Sequence, residues 1–252
     1  MIRAAIVLLL CTACAVPLRS AFPEQGTAPL AVRLEVGSLW QTRNDVRIPG
    51  EGGTRFSKSD LIGEGTFSVQ RLTADWDRDE HHSFRAVLAP IEIDGSGTLP
   101  QQTDFAGETF ASGVRTRGSY KFSSYRLGYR YTFHHSDAWR LRMGGTLFVR
   151  DAKVELVQGA TRASDSNVGL VPLLNLAAEY SPGPRWGVIA ELDGLAAPQG
   201  RAIDFSLRGR YDLSHGLSLG VGYRTIEGGA DNDDVFNFAW LHVVFVDVAF
   251  RF

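Results

Sequence analysis

The sequence has 252 residues, of which 21% are charged, and its formal net charge is −2. This near-neutral balance excludes a strongly basic nucleic-acid-binding protein, which would carry a basic patch or a high pI. Both cysteines, Cys11 and Cys14, lie at the N-terminus. The rest of the chain therefore offers no zinc–cysteine site, thiol-redox centre or disulfide framework.

The first predicted element is a secretory signal peptide over residues 1–21. A basic start is followed by an apolar run from Ile6 to Val16, which is much shorter than the roughly 20 residues of a membrane-spanning helix. Small residues allow cleavage near Ala15 or near Ala21. A lipid anchor on Cys14 is the alternative, although the residue three positions earlier is not the leucine that lipoprotein signals normally have.

Residues 22–252 are predicted to form one domain of about ten β-strands, because apolar and polar residues alternate along each segment. The strands lie at about 30–42, 66–77, 83–94, 117–133, 138–156, 168–181, 185–197, 201–213, 216–227 and 235–252. Tight turns are predicted at Arg78–His82, His134–Asp137, Pro182–Pro184 and Ser214–His215. Longer loops are predicted at Arg43–Gly65, Gly95–Thr116, Gln158–Asn167, Pro198–Gly200 and Gly228–Asp234.

Alternation of tight turns with longer loops and an even number of strands are typical of an all-β, antiparallel up-and-down transmembrane barrel. Eight or twelve strands remain alternatives. The parity of the apolar residues changes near Pro90 and near Asp151, which indicates bulges or strands that extend beyond the membrane.

The last strand shows the alternation most clearly. From Phe236 to Phe252 the even positions are almost all apolar, whereas the odd positions include Asn237, Asp247 and Arg251. In this pattern and its terminal phenylalanine, the chain resembles bacterial outer-membrane β-barrel proteins. The resemblance implies export to a Gram-negative outer membrane, contact with its lipid and lipopolysaccharide, and insertion by the outer-membrane assembly machinery, with Phe250 and Phe252 as the assembly signal. It implies no activity, cofactor or oligomeric state.

Aromatic residues recur beside the tight turns on the face predicted to contact lipid. Aromatic rings favour the level of the lipid head groups, so their recurrence at one depth predicts a girdle at the periplasmic side of the barrel. Its predicted members are Trp76, Phe84, Phe133, Trp139, Tyr180, Trp186 and Tyr211.

The opposite parity assigns many charged side chains to the lumen. The predicted lumen charge network consists of Arg126, Arg130, Arg140, Arg142, Arg150, Glu179, Glu191, Asp193, Asp204, Arg208, Arg210, Arg224, Asp247 and Arg251. The first three strands, whose alternation is weaker, add Arg33, Glu35, Arg71, Asp75 and Arg85. One interpretation is a lumen closed by paired charges, since an unpaired buried charge is costly. The other is an arginine-lined path for anions or phosphorylated solutes. Side chains can fill a barrel this small, which favours closure.

The positions of the histidines argue against an enzyme of the extracellular rim, because the general base at neutral pH is most often histidine. Five of the six lie in tight turns, and His242 lies within the last strand on the lipid-facing parity. Neither these histidines nor the carboxylate-rich stretch Glu227–Asp234 is expected to bind a metal. We therefore expect a non-enzymatic barrel, either a structural scaffold or a narrow anion or small-solute pore. The alternative is an enzyme that acts on lipid or peptide through Asp193, Glu227 or Asp231.

Overall fold

The chain folds into a closed antiparallel barrel of ten strands, which confirms the predicted fold class. A computed structural model describes residues 30–198 and 200–252, so the predicted signal peptide lies outside the described residues. The elements in chain order are β1 (Leu30–Arg47), β2 (Phe56–Ser57), α1 (Lys58–Ile62), β3 (Gly65–Asp77), β4 (His82–Ala89), β5 (Glu92–Thr98), β6 (Thr103–Phe105), β7 (Glu108–Phe110), β8 (Arg115–His135), β9 (Trp139–Gln158), β10 (Thr161–Tyr180), β11 (Trp186–Ala197), β12 (Gly200–Ser214), β13 (Leu217–Asp231) and β14 (Phe236–Arg251).

Two short strands together fill one position of the barrel. Both β4 and β5 pair with β8, and Pro90 lies at the break between them. Proline has no N–H to donate to a strand ladder, so a break at this residue is expected. The parity change predicted near Pro90 is therefore an interruption of the strand.

The barrel closes where β1 pairs with β14. Outward residues of the two strands stand opposite each other, as in Val32 opposite Phe250, and inward residues do the same, as in Glu35 opposite Asp247. The backbone N–H of Phe252 donates to the carbonyl of Leu30 at 2.9 Å. The chain terminus is thus part of the closing seam.

The parity change near Asp151 has a different cause from the one at Pro90. β9 pairs with β10 without interruption from Trp139 to Gln158, so of the two predicted alternatives the structure shows no bulge at Asp151 against this neighbour and a strand 20 residues long. Instead, the polarity of the two faces inverts. Above the charged lumen the inward side chains Val154 and Leu156 are buried and apolar, whereas Lys153 and Glu155 point outward. A strand that leaves the membrane exchanges lipid for water on its outer face, which explains the inversion.

The loop between β1 and β3 folds into the upper lumen. It contains the short helix α1, whose N-terminal N–H at Asp60 donates to the Ser57 hydroxyl at 3.1 Å. The helix packs against inward glycines of β5 and β8, where a Cβ at Gly95 would lie 2.2 Å from the Ile62 carbonyl oxygen. The absence of side chains on the wall thus makes room for the helix backbone.

One cation of α1 is fully enclosed. Lys58 is 1% exposed, its Nζ donates to Asn237 Oδ1 at 3.2 Å, and the same atom lies 3.9 Å from the centroid of the Tyr120 ring. Burial lowers the pKa of this amine well below its ordinary value, and Asp45 opposes that shift. The aromatic face and the amide oxygen are therefore its observed stabilising contacts.

Apolar side chains from the strands and loops form a packed core around α1. Its most buried members are Leu39, Val46, Leu61, Ile93, Leu99, Phe105, Phe110, Tyr120, Leu156 and Leu241. Phe105 and Phe110 come from the small β6–β7 hairpin, which the sequence did not predict. The upper half of the lumen thus resembles the interior of a water-soluble protein.

Several predicted loops are shorter than expected. β9 and β10 are joined by Gly159 and Ala160 alone, so the predicted loop at Gln158–Asn167 is wrong and its polar residues belong to β10. β13 extends to Asp231, which places most of the carboxylate-rich stretch in a strand. In the described part of the chain, no helix is long and apolar enough to cross a membrane.

Candidate functional site: the charged lumen and the cavity above it

The structure places the predicted charged side chains of the lumen inside the barrel, with one exception. Arg251 lies at the periplasmic end, is exposed, and has no ion pair among the described residues. Apart from Arg150, the other members come together in clusters of ion pairs, which we call the lumen network. This network fills the lower half of the barrel.

One cluster centres on Asp204 of β12. Its carboxylate lies 2.8 Å from Arg126, 2.8 Å from Arg224 and 3.4 Å from Arg71. Arg224 also contacts Glu35 at 3.0 Å. Three arginines from three different strands therefore share a single buried carboxylate, and the guanidinium planes allow several charge-assisted contacts at once.

A second cluster centres on Glu191 of β11. Its carboxylate lies 2.7 Å from Arg85, 3.0 Å from Arg130 and 3.6 Å from Arg33. Arg85 also makes a two-pronged contact with Asp75, at 2.5 and 3.0 Å. The acidic residues of β11 and the arginines of β4 and β8 thus meet across the lumen.

Asn175 and Asp193 join the two clusters. Asn175 accepts a hydrogen bond from Arg130 Nε at 2.6 Å and donates to Asp193 Oδ1 at 2.5 Å. Asp193 also accepts from Arg126 at 2.8 Å and from the Thr146 hydroxyl at 2.9 Å. The hydrogen bonds therefore run continuously from one side of the lumen to the other.

The end of the lumen beside the tight turns, which the sequence predicts to be periplasmic, is closed by a third group of charges. Glu179 pairs with Arg210 and lies 3.6 Å from Arg142. Asp77, which the sequence did not single out, lies 3.6 Å from Arg140 and 3.8 Å from Arg142. Two further pairs line this region, Arg210 with Asp212 at 3.2 Å and Arg208 with Asp247 at 3.1 Å.

A cavity of about 680 Å³ lies above the lumen network. Arg126 and Asp204 form part of its lining, and Tyr120, Phe122, Phe148, Leu173, Leu195, Ile203, Ile226 and Leu241 contribute apolar surface. Pockets of roughly 300–1,000 Å³ with apolar walls and a few polar groups are typical of small-molecule sites. The sequence did not predict this cavity, because most of its apolar walls come from residues that point inward in the upper half of the barrel, where the two faces exchange polarity.

Arg150 belongs to this cavity and is not a member of an ion pair. Its Nη2 donates to Asn167 Oδ1 at 2.6 Å, and its Nε is buried without a hydrogen-bond partner. No carboxylate pairs with Arg150 within the described residues. Arg150 thus has the inward orientation that the parity predicts, but it lies outside the ion-paired clusters.

Aromatic side chains lie beside the tight turns around the barrel, and a second aromatic cluster lies higher on the outer wall. At the tight turns, ring centroids lie 5.5 Å apart for Trp76 and Phe84, and 4.7 Å apart both for Trp139 with Tyr180 and for Trp186 with Tyr211. Phe133, the remaining predicted member, is exposed near the second turn. These residues mark the periplasmic edge of the apolar band.

The upper aromatic level was missed from the sequence. Trp40, Tyr223 and Trp240 surround His242 on the outer wall, with ring centroids 5.3, 6.0 and 5.4 Å from the imidazole. His242 shares hydrogen bonds with the Tyr223 hydroxyl at 2.6 Å and with the Thr42 hydroxyl at 3.0 Å. Phe252 follows His242 by ten residues on the same tilted strand, which corresponds to a height difference of about 25 Å along the membrane normal. This difference matches the height of the apolar band.

The three acids of the alternative enzyme hypothesis do not converge. Asp193 is buried in the lumen network, whereas Glu227 pairs with Arg201 at 2.7 Å. Asp231 is exposed at the end of β13. The acids therefore lack a common reactive centre.

The paired histidines lie at the periplasmic turns. The backbone N–H groups of His81 and His82 donate to Asp79, at 2.9 and 2.8 Å, and these hydrogen bonds lower the pKa of its exposed carboxyl. The His82 ring contacts the Tyr129 hydroxyl at 2.7 Å. No group of three His, Cys, Asp or Glu side chains suited to a metal occurs among residues 30–198 and 200–252.

Comparison with known proteins supports the fold. The structure is similar to the outer-membrane protease OmpT of Escherichia coli, with a TM-score of 0.52 and 10% sequence identity over 92% of this chain and 100% of that one. It also matches Ail, the attachment invasion locus protein of Yersinia pestis, with a TM-score of 0.42 and 9% identity over 89% and 99% of the two chains. No protein-family model and no curated protein matches the sequence. The chain therefore has the fold of an outer-membrane β-barrel protein, and these likenesses extend no further than the fold.

Proposed function

We propose that this protein is a sealed, non-enzymatic barrel of the Gram-negative outer membrane, a structural scaffold and not an open pore. The lumen network is the observation that carries this proposal. Its arginines and carboxylates meet across the lower lumen. At Glu191, for example, three arginines lie 2.7–3.6 Å from one carboxylate. The residues that would line a conducting path are thus bonded to one another.

Physical reasons favour a sealed lumen. A hydrated anion that crossed the barrel would have to separate several buried ion pairs at once, and each separated pair leaves two poorly solvated charges. The upper lumen adds a second barrier, because α1 and the apolar core around it occupy the extracellular side of the same passage. Small barrels have lumens that side chains fill, whereas open porins use about 16–18 strands.

The arrangement of polar groups favours a non-enzymatic role. The described histidines lie at periplasmic turns or on the outer wall, and each candidate acid is either buried in ion pairs, paired at the surface or isolated. General acid–base chemistry needs a group within hydrogen-bond reach of the substrate and close to its partner. Likeness to a protease of the same fold does not supply these groups.

Planar-bilayer recording of the refolded mature chain tests the sealed lumen. We expect no stepwise conductance from the unaltered barrel. Because α1 and the apolar core close the upper lumen as well, the triple change Glu191→Ser, Arg130→Ser and Arg85→Ser alone is expected to leave the barrel closed, and its combination with deletion of residues 56–63 is expected to introduce conductance. Anion-selective channels in the unaltered barrel, with a selectivity that Arg130→Gln erases, would instead establish the narrow-pore alternative.

The non-enzymatic assignment has a separate test. The folded barrel is incubated with lipopolysaccharide, phospholipid and peptides, and products are sought by mass spectrometry. We expect none. Turnover that disappears in Asp193→Asn while the variant keeps its folded gel mobility would refute the assignment.

A further inference from the structure

The barrel wall is incomplete on one side of its upper half. β10 pairs with β9 along its whole length, but its pairing with β11 begins only at Leu174 opposite Gly194 and continues to Tyr180 opposite Val188. Residues 161–173 of β10 therefore have an unpaired edge, and β11 beyond Gly194 pairs with β12 alone. Pro172 lies in this segment, as expected for a residue that is confined to sheet edges.

The lower part of this gap lies at the level of the outer leaflet, and the upper part extends beyond the apolar band. With a rise of about 3.3 Å per residue and a tilt of about 40°, Leu174 lies about 15 Å above Tyr180 of the lower aromatic girdle. Val168 lies about 30 Å above it by the same estimate, and the apolar band is only about 25 Å tall. Leu170 and Leu174 beside the gap lie within the band and are each 65% exposed, as expected for side chains that face lipid.

The cavity described above opens behind the gap. The cavity is lined by four consecutive residues of β10, Leu170 to Leu173. Consecutive residues point to opposite faces of a strand, so both faces can contribute only where the unpaired edge of the strand borders the cavity. Leu195 and Ala197 of β11 line it from the other side of the gap, and Phe148 lies deeper. An apolar chain from the outer leaflet would thus find a continuous apolar surface from the lipid into the barrel.

Arg150 supplies a polar end to this surface. It stands opposite Gly169 on β10, where a Cβ would lie 3.5 Å from Arg150 Nη2. The other cations of the lining pair with acids: Arg126 with Asp193 and Asp204, Arg201 with Glu227, and Lys153 with Glu155. The acids of the lining that lack an ion pair, Asp165 and Asp234, lie further toward the extracellular end. The Arg150 guanidinium therefore lines the cavity without a paired carboxylate.

We propose that the cavity binds one single-chain amphiphile with an anionic head group. The anionic oxygens contact the Nη side of the Arg150 guanidinium, a charge-assisted contact with a cation that has no carboxylate partner. The acyl chain runs past Phe148 and Leu195 and leaves through the gap between β10 and β11. A carboxylate and a phosphate share this chemistry. Binding from the outer leaflet does not require an open lower lumen, so this inference goes beyond the sealed scaffold and can fail independently of it.

The test uses the mature chain in phospholipid nanodiscs, with palmitate labelled with ¹³C at its carboxyl carbon, hexadecyl phosphate, and uncharged hexadecanol as probes. We expect saturable binding of palmitate or hexadecyl phosphate at one molecule per barrel, and binding of hexadecanol at least tenfold weaker. Arg150→Gln is expected to weaken binding of the anionic probe about tenfold, since the charge-assisted contact is lost. Arg251→Gln, which removes the same charge at the periplasmic end, is the matched control and should bind as the unaltered chain does.

Two further variants keep the test decisive if Arg150→Gln does not fold. Gly169→Asp places a carboxylate opposite Arg150 and should compete with the ligand, and Leu195→Trp should obstruct the gap. Palmitate that carries a photoreactive diazirine at its tail should label residues 170–173 and 195–197. Three outcomes would each overturn the proposal. Hexadecanol and palmitate could bind equally, or the affinity could be unchanged in both the position-150 and the position-169 variants. The third outcome is labelling confined to the lipid-facing wall away from the gap.

Discussion

Replacing Glu191 by glutamine removes the carboxylate that three lumen arginines share, and it changes the size of the side chain very little. The three arginines are affected unequally. Arg85 keeps its two-pronged contact with Asp75, and Arg33 keeps Glu35 at 3.0 Å. Arg130 keeps only the neutral Asn175 oxygen at 2.6 Å. The substitution therefore leaves essentially one unpaired guanidinium.

The structure allows the cost to be estimated. The Arg130 side chain is 2% exposed, so water cannot replace the lost partner. Breaking a buried pair on one side costs about 3–5 kcal/mol. The glutamine oxygen still accepts one hydrogen bond, which places the expected loss near the lower end, at about 3 kcal/mol.

Urea unfolding of the barrel in phospholipid vesicles measures this loss, with the folded fraction read from heat-modifiable gel mobility and tryptophan fluorescence. Glu227→Gln is the matched control. It breaks the surface pair with Arg201, whose side chain is 45% exposed, and should cost less than about 1 kcal/mol. Adding Arg130→Met to Glu191→Gln should recover most of the loss, because no unpaired charge then remains. A Glu191→Gln barrel as stable as the Glu227→Gln control would refute the reasoning.

Three other changes give separate expectations. Deletion of Phe252, which is 78% exposed, should lower the yield of folded barrel in cells and leave refolding in detergent nearly unchanged; equal yields in cells would contradict its role in assembly. Gly95→Val should displace α1 and cost about 1–3 kcal/mol in urea unfolding, whereas Gly183→Val, with open space around it, should cost little. Because the pKa of Lys58 is lowered from 10.5, the folded chain releases this proton at lower pH than the unfolded chain, so stability should rise as pH increases toward 10.5. Lys58→Met should remove this rise, as the difference between urea midpoints at neutral and alkaline pH would show.

The sequence predicts the barrel well because lipid and lumen impose a period of two on each strand. Ten strands, their order and the level of the tight turns follow from alternation and from the aromatic residues beside the turns. The partners within the lumen could not be derived in this way. Arg126 meets Asp193 and Asp204 on strands distant from its own, and this meeting depends on the tilt and stagger of the closed barrel.

The upper half was predicted less well for a physical reason. There, the environments of the two faces are exchanged, so an apolar residue such as Leu156 points inward and Glu155 points outward. Alternation still indicates a strand, but it no longer indicates which face contacts lipid. The unpaired edge of β10 leaves even less trace, since residues 161–167 are so largely polar that the sequence predicts a loop there. Pro172 is the local signal that could have pointed to it.

The sharing of one carboxylate by several arginines also constrains how the sequence can diverge. A change at Asp204 affects Arg71, Arg126 and Arg224 together, so its consequence depends on which residues already occupy those three positions. Substitutions in the lumen are therefore epistatic, and divergence there should proceed by concerted replacement of whole clusters. The lipid-facing wall has no such coupling, because Leu127 or Val246 can exchange for another apolar residue alone. In related sequences, the outer wall should drift position by position while the lumen changes rarely and in groups.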